Sequence, residues 1–221
     1  LRSLDAIQQV LRKVWEHSRI NGAVLGGFMQ QLRRRFGDVI AMHPKFGKDY
    51  AEIGNLEVSP FEELLAEMIE VEKQLPAPFS VFIHGDFNSD NILVNPQTQK
   101  VNFIDMSRSD DADYVQDISV FILSNFRMPV FERAIRDRLN TAGIEMFLFA
   151  RDYAAKNGDP TFDARIALGL VRSFITSTRF VMNEKFAKEM FMRARYLMER
   201  LVAFHGRPWD EFRLPTDVIV Y

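Results

Sequence analysis

The sequence predicts an α+β fold that is mainly α-helical, and three observations carry that expectation. Apolar residues recur at spacings of three and four along most of the 221 residues. One stretch, from Val81 to Ile104, reads instead as short strands around a polar turn. No apolar run approaches the ~20 residues needed to cross a bilayer.

Taken in order, Leu4, Ile7, Leu11, Val14 and Trp15 form one helical stripe over residues 1–18. Leu25, Phe28, Leu32 and Phe36 predict a second helix over about 23–36, with Arg33, Arg34 and Arg35 on its wet face. Ser59-Pro60-Phe61-Glu62 reads as a helix start, with Ser59 as the cap, Pro60 in the first turn and Glu62 closing a capping box. Leu64, Leu65, Met68, Ile69 and Leu75 continue that helix until Pro76 and Pro78 stop it. Val81–His84 is a short strand, and Ile92–Val94 and Val101–Ile104 flank the turn Asn95–Lys100 as a hairpin. From Tyr114 the helical period returns in about five segments ending near His205. The longest runs lie between Thr161 and Val181 and between Glu184 and Phe204. Phe174, Phe180, Met182, Met190 and Phe191 keep helical spacing and read as core packing. Residues 206–221 contain two prolines and read as irregular. No repeat, low-complexity tract or linker divides the chain. Residues 1–221 are therefore read as a single domain, with helices over 1–75, a loop and hairpin over 80–117 and a helical region over 118–205.

Composition narrows the function classes. The formal charge is −2 and the pI about 6.1, so the polyanion signature of a nucleic-acid module is missing. Cysteine is absent, which rules out disulfides and thiolate metal sites and makes a reducing cytoplasm the natural address. Neither a membrane nor a nucleic-acid partner is expected.

Six polar residues stand out between positions 84 and 117: His84, Asp86, Asn91, Asp105, Asp113 and Asp117. A hairpin centred at residue 98 would set Asn91 opposite Asp105 at its open end. Two oxygen-bearing side chains there make half a shell for Mg2+, a hard cation that completes its coordination with water and phosphate. Asp86, on the entering loop, is placed to accept the proton of an alcohol attacking phosphorus. The alternatives are a turn aspartate at position 86 and simple hairpin caps at 91 and 105. Asn21-Gly22-Ala23-Val24-Leu25-Gly26-Gly27 lacks the spacing of a phosphate loop, has no predicted strand before it, and reads as a helix boundary.

His84-Gly85-Asp86-Phe87-Asn88-Ser89-Asp90-Asn91 resembles the catalytic loop H-G-D-x-x-x-x-N of aminoglycoside phosphotransferase and choline kinase-like enzymes. Ile104-Asp105 resembles their second motif, the counterpart of the D-F-G aspartate in protein kinases, and Asp113 and Asp117 follow where that family has G-D-P-x-x-D-L-A. The resemblance implies the C-terminal, large lobe of a protein kinase-like fold. It also implies an ATP-dependent phosphotransferase acting on a small-molecule hydroxyl, with Asp86 as base and Asn91 and Asp105 as ligands of Mg2+ at the nucleotide phosphates. His84 and Asp117 become structural supports of the loop. Met106-Ser107 and Ala112-Asp113-Tyr114 depart from the family pattern at the positions of the aromatic-Gly and Gly-Asp-Pro segments.

Three neighbouring features carry blander readings. Asp110, Asp111 and Asp113 read as a solvated acidic run rather than a pocket for a cationic acceptor, Arg108 as a surface arginine rather than one that steadies phosphate charge, and Asn88, Ser89 and Asp90 as candidates for the acceptor side of the loop. The first 83 residues offer no glycine-rich hairpin and strand lysine of the kind that cradles nucleotide phosphates. The N-terminal lobe is therefore expected upstream in the same protein. A non-catalytic, pseudokinase-like binding or regulatory module is the competing function. Residues 1–221 alone are expected to bind ATP weakly; calorimetric titration with ATP and Mg2+ checks this, and low-micromolar affinity would contradict it.

Overall fold

The computed structural model describes residues 2–47, 52–53, 56–57 and 59–221. It is mainly helical, with three small sheets among the described residues. Helix α1 (Arg2–Ser18) buries Leu4, Ile7, Leu11 and Trp15 along the expected stripe. Strand β1 (Ile20–Val24) and helix α2 (Phe28–Met42) follow. The helix expected from residue 23 therefore begins five residues later, and its first part is a strand. Gly27 explains the difference: its left-handed conformation (φ 64°) cannot belong to a helix, and it serves as the N-cap instead. Leu25, assigned to the apolar stripe, is exposed. A two-residue ribbon, β2 (Glu52–Ile53) and β3 (Leu56–Glu57), also interrupts the region read as helices.

Helix α3 spans Phe61–Lys73. Pro60 occupies the N-cap with no side-chain cap bond, so Ser59 does not cap; its carbonyl instead accepts from Arg195 Nη2 at 2.7 Å. Strand β4 (Ala77–Ile83) starts earlier than the prolines suggest. Pro78 is tolerated because it faces a break in the β1 register between Asn21 and Val24, where no ladder donor is required. Alternate residues Ala77, Phe79, Val81 and Ile83 are buried, as a strand with one covered face demands. β4 is the centre of an antiparallel sheet ordered β1-β4-β7, with β7 at Asp110–Ala112. The hairpin strands β5 (Ile92–Val94) and β6 (Val101–Phe103) form a separate ribbon.

Four helices follow: α4 (Val115–Phe126), α5 (Arg133–Lys156), α6 (Phe162–Ser177) and α7 (Glu184–Phe204). The longest is α5, whose charged, weakly patterned face hid its length from the periodicity reading. Every residue of α6 from Phe162 to Thr176 is buried, because α2, α4 and α7 pack around it. Phe174, Met190 and Phe191 are core as expected, whereas Phe180 and Met182 are exposed.

Burying all of α6 draws charge into the interior. Arg165 pairs with Asp113 and Asp159, and Tyr114 donates its hydroxyl proton to Asp159. Asp110 and Asp111 are exposed, but Asp113 is buried, so the acidic run is not uniformly solvated. Burial opposes the Arg165 charge, yet the two carboxylates more than offset it and hold the guanidinium above its ordinary pKa. A second arginine, Arg136, donates to the carbonyls of Asn125, Phe126, Met128 and Val130, satisfying the open C-terminal end of α4. Arg165→Met would leave two buried carboxylates without their cation, each keeping one hydrogen bond. It should cost about 3–5 kcal/mol in urea denaturation, and adding Asp113→Asn and Asp159→Asn should recover part of that loss.

Candidate active site

Strand β4 ends at Ile83, and the chain then makes a tight loop through His84, Gly85 and Asp86. Asp117, in the first turn of α4, holds this loop from below. Its Oδ2 accepts from the His84 N–H at 2.7 Å and its Oδ1 from the Gly85 N–H at 2.9 Å. Gln116 Nε2 adds a bond to the Gly85 carbonyl at 3.1 Å. Burial pushes the Asp117 carboxyl up to about 6, against the two backbone bonds, which work to lower it.

His84 is buried and links three segments. Its Nδ1 lies 3.3 Å from the Asp86 N–H and its Nε2 lies 2.9 Å from the Ile104 carbonyl. The arrangement assigns the ring proton to Nε2, so the neutral ring bridges the loop to the strand end that leads into Asp105. Gly85 has φ 81°, and a Cβ there would sit 1.9 Å from the Arg108 carbonyl oxygen. No other residue fits at that crossing.

Asp86 is half-buried, with both carboxylate oxygens engaged: Oδ1 accepts from Asn88 Nδ2 and Oδ2 from Arg108 Nη1 at 3.1 Å. Arg108, read from sequence as a surface arginine, is largely exposed yet is the ion-pair partner of Asp86. Asn91 closes a short 3-10 turn and donates its Nδ2 to the Asp86 carbonyl at 2.9 Å. That bond fixes the amide orientation and leaves Oδ1 as the atom for any ligand.

The hairpin register differs from the expected one. Ile92 pairs with Phe103 and Val94 with Val101, and the Ile104 N–H donates to the Asn91 carbonyl at 3.0 Å. Asn91 is therefore opposite Ile104, and Asp105 lies one residue farther on. The cause is the turn: Asn95 pairs with Lys100 and Gln99 takes a left-handed conformation (φ 56°), so four residues, not five, form the loop. Asp105 takes a left-handed conformation (φ 56°, ψ 55°), its side chain is exposed, and Ser107 Oγ donates to its Oδ1 at 2.9 Å. No group of three His, Cys, Asp or Glu suited to a metal occurs among the described residues. Asn91 Oδ1 and the Asp105 carboxylate are oxygen donors of the kind Mg2+ takes, and such a site needs only one or two protein oxygens besides phosphate and water.

A cavity of about 540 Å³ opens beside Asp86, between α2, the loop, α4 and α6. Asn88 lines it, whereas Ser89 and Asp90 line a neighbouring cavity of about 490 Å³ that shares Ser124, Arg127 and Phe180 with the first. Arg35, Arg127, Arg172, Arg179 and Phe180 also line the larger cavity, and sequence reasoning missed their place in the site. Arg172 alone carried a local signal, a charge inside an otherwise apolar helical run. The strand before Gly26-Gly27 was also unexpected, but α2 presents no open phosphate loop. Its first N–H groups, at Phe28 and Met29, donate to the buried Glu72 carboxylate at 2.6 and 3.1 Å.

Among known proteins, an ethanolamine kinase structure from Plasmodium vivax is similar over 86% of this chain and 51% of that one, with 14% identity and a TM-score of 0.38. The chain thus spans about half the length of that kinase. No curated protein matches the sequence. Residues 29–156, which hold the loop, the hairpin and the helices that carry them, match the phosphotransferase enzyme family APH, and the chain belongs to that family.

Proposed function

We propose that this chain is the catalytic, C-terminal lobe of an ATP-dependent kinase that phosphorylates a hydroxyl group of a small molecule. The observation that carries the reading is the junction of Asp86, Asn91 and His84, in which one backbone carbonyl and one imidazole tie the base to the hairpin. Family membership supports the reaction class.

In this reading the acceptor hydroxyl approaches Asp86 Oδ2 and takes the place of Arg108. The hydroxyl oxygen forms a bond to the γ-phosphorus of ATP as the bond from that phosphorus to the bridging oxygen of ADP breaks. The hydroxyl proton passes to Asp86. Arg108, released from Asp86, would be available to follow charge onto the transferring phosphoryl group. Asn91 Oδ1 and Asp105 would hold Mg2+, which when bound neutralises charge on the phosphate oxygens. His84 and Asp117 take no proton from substrate; they fix the backbone on which Asp86 stands. An upstream lobe of the same protein is proposed to cover the nucleotide phosphates.

The test is an ADP-release assay of the full-length protein against a panel of hydroxylated metabolites. Asp86→Asn should lower kcat by about 10²- to 10⁴-fold with little change in thermal unfolding; retained turnover would remove Asp86 as the base. Asp117 offers a pH test of the bracing role. Its carboxyl is raised above the ordinary 3.8, so between about 4 and 6 the native state holds a proton that the unfolded chain has released. Wild-type stability should therefore fall as pH rises through that window and then level off. Asp117→Asn should flatten this slope by the Asp117 share in urea denaturation across a pH series, the raised Glu72, Asp113 and Asp163 carboxyls keeping the rest.

A further inference from the structure

The cavity beside Asp86 is unusually rich in guanidinium groups. Arg35 on α2, Arg108 after the hairpin, Arg127 at the end of α4, and Arg172 and Arg179 on and after α6 all line it. Asp86 is the single carboxylate among the described residues that line it, and Arg108 already pairs with it. None of the remaining four forms an ion pair with a carboxylate of the cavity wall among the described residues.

Arg172 sits at the centre of this imbalance. Its side chain is 5% exposed, Nη2 donates to Ser119 Oγ at 3.2 Å, and Nε is buried with no partner. Burial, followed by the charge of Arg35, pushes it down to about 10, so it stays cationic at neutral pH. Asp86, then Asp117 and Glu72, act on it from a distance, but Asp86 is paired with Arg108 and the other two are committed to backbone N–H groups. Arg179 repeats the pattern: Nη1 is buried without a partner, and burial and then Arg35 lower its pKa, as Arg108 and Arg127 also do, with Asp38 opposing them. Leaving buried guanidinium N–H groups unpaired among like charges is costly. A ligand with several acceptor oxygens and negative charge offsets both costs at once, and arginine forks match phosphate and carboxylate geometry.

Resting on the kinase reading above, we propose that the acceptor is an alcohol that already bears a phosphate or carboxylate group, held by Arg172, Arg179, Arg35 and Arg127 while its hydroxyl meets Asp86. The cavity, at about 540 Å³, has room for a small metabolite of this kind. A cationic amino alcohol would meet four guanidinium groups that have no ion-pair partner on the cavity wall, and a neutral one would leave the buried donors unsatisfied.

The experiment pairs binding with turnover in the full-length protein. Calorimetry with glycerol 3-phosphate, glycerate, inorganic phosphate, glycerol and choline should give binding for the anions and none for glycerol or choline. The phosphate and carboxylate arms identify which anion the site prefers. In the ADP-release assay, anionic alcohols should serve as acceptors. Arg172→Met should raise the acceptor KM by about tenfold or more while leaving the KM for ATP unchanged. Arg35→Gln, at a less buried position, provides the same readout should Arg172→Met not fold. Turnover of choline or glycerol with an acceptor KM insensitive to both variants would overturn the inference and leave the kinase reading intact. A selective rise in the KM for ATP would overturn it as well, by assigning the arginines to the nucleotide. Arginine-dependent anion binding without phosphoryl transfer to any acceptor would uphold the anion site and sink the kinase reading instead.

Discussion

The site depends on one buried carboxylate. Asp117 grips two consecutive backbone N–H groups, those of His84 and Gly85, from the first turn of α4. A carboxylate there also suits the positive end of the helix. Burial makes its charge expensive, and two short charge-assisted bonds return much of that cost. The loop is thereby fastened to a helix that is itself fixed at both ends. Asp113 joins its start to Arg165 on α6, and Arg136 collects the carbonyls at its end. Asp86 is therefore positioned by α4 even though it does not belong to it.

Two backbone positions are where this rigidity is spent. At Gly85 the loop passes so close to Arg108 that a methyl group has no room. At Asp105 a non-glycine residue accepts a left-handed conformation, a state that L-residues avoid unless their surroundings insist. Both lie beside His84, which bonds to the loop on one side and to the Ile104 carbonyl on the other. The crossing, the imidazole bridge and the turned aspartate form one unit, and a change in any of them moves the others.

What the sequence revealed follows from which forces are local. Amphipathic stripes such as Leu4-Ile7-Leu11 and the loop segment 84–91 are written in consecutive residues, and so were legible. The hairpin was legible but its register was not, because register turns on whether Asn95 or a neighbour closes the loop, and Gln99 decided that by going left-handed. Strand β1 was missed since Leu25 and Phe28 continue a helical spacing that Gly27 interrupts. The arginine cluster was illegible for a different reason. Arg35, Arg108, Arg127, Arg172 and Arg179 are scattered over 145 positions and meet only when α2, α4 and α6 pack together. Arg35 in particular shared the appearance of a wet face with Arg33 and Arg34, which are exposed, while it turns inward.

Arg108 connects the loop to that cluster. Asn88 on one oxygen of Asp86 and Arg108 on the other each take part of its acceptor capacity, and Arg108 stands on the side open to the cavity. Asn88 is half-buried and held in the loop, whereas Arg108 is 60% exposed and free to swing. An exposed ion pair of this sort is weak, of the order of 1 kcal/mol or less, so an arriving anion can displace it without large cost. Negative charge entering the cavity would thus do two things together: satisfy the buried guanidinium groups and draw Arg108 off the carboxylate. The same electrostatic asymmetry proposed to select an occupant would free the Oδ2 of Asp86, the proposed base, as that occupant arrives.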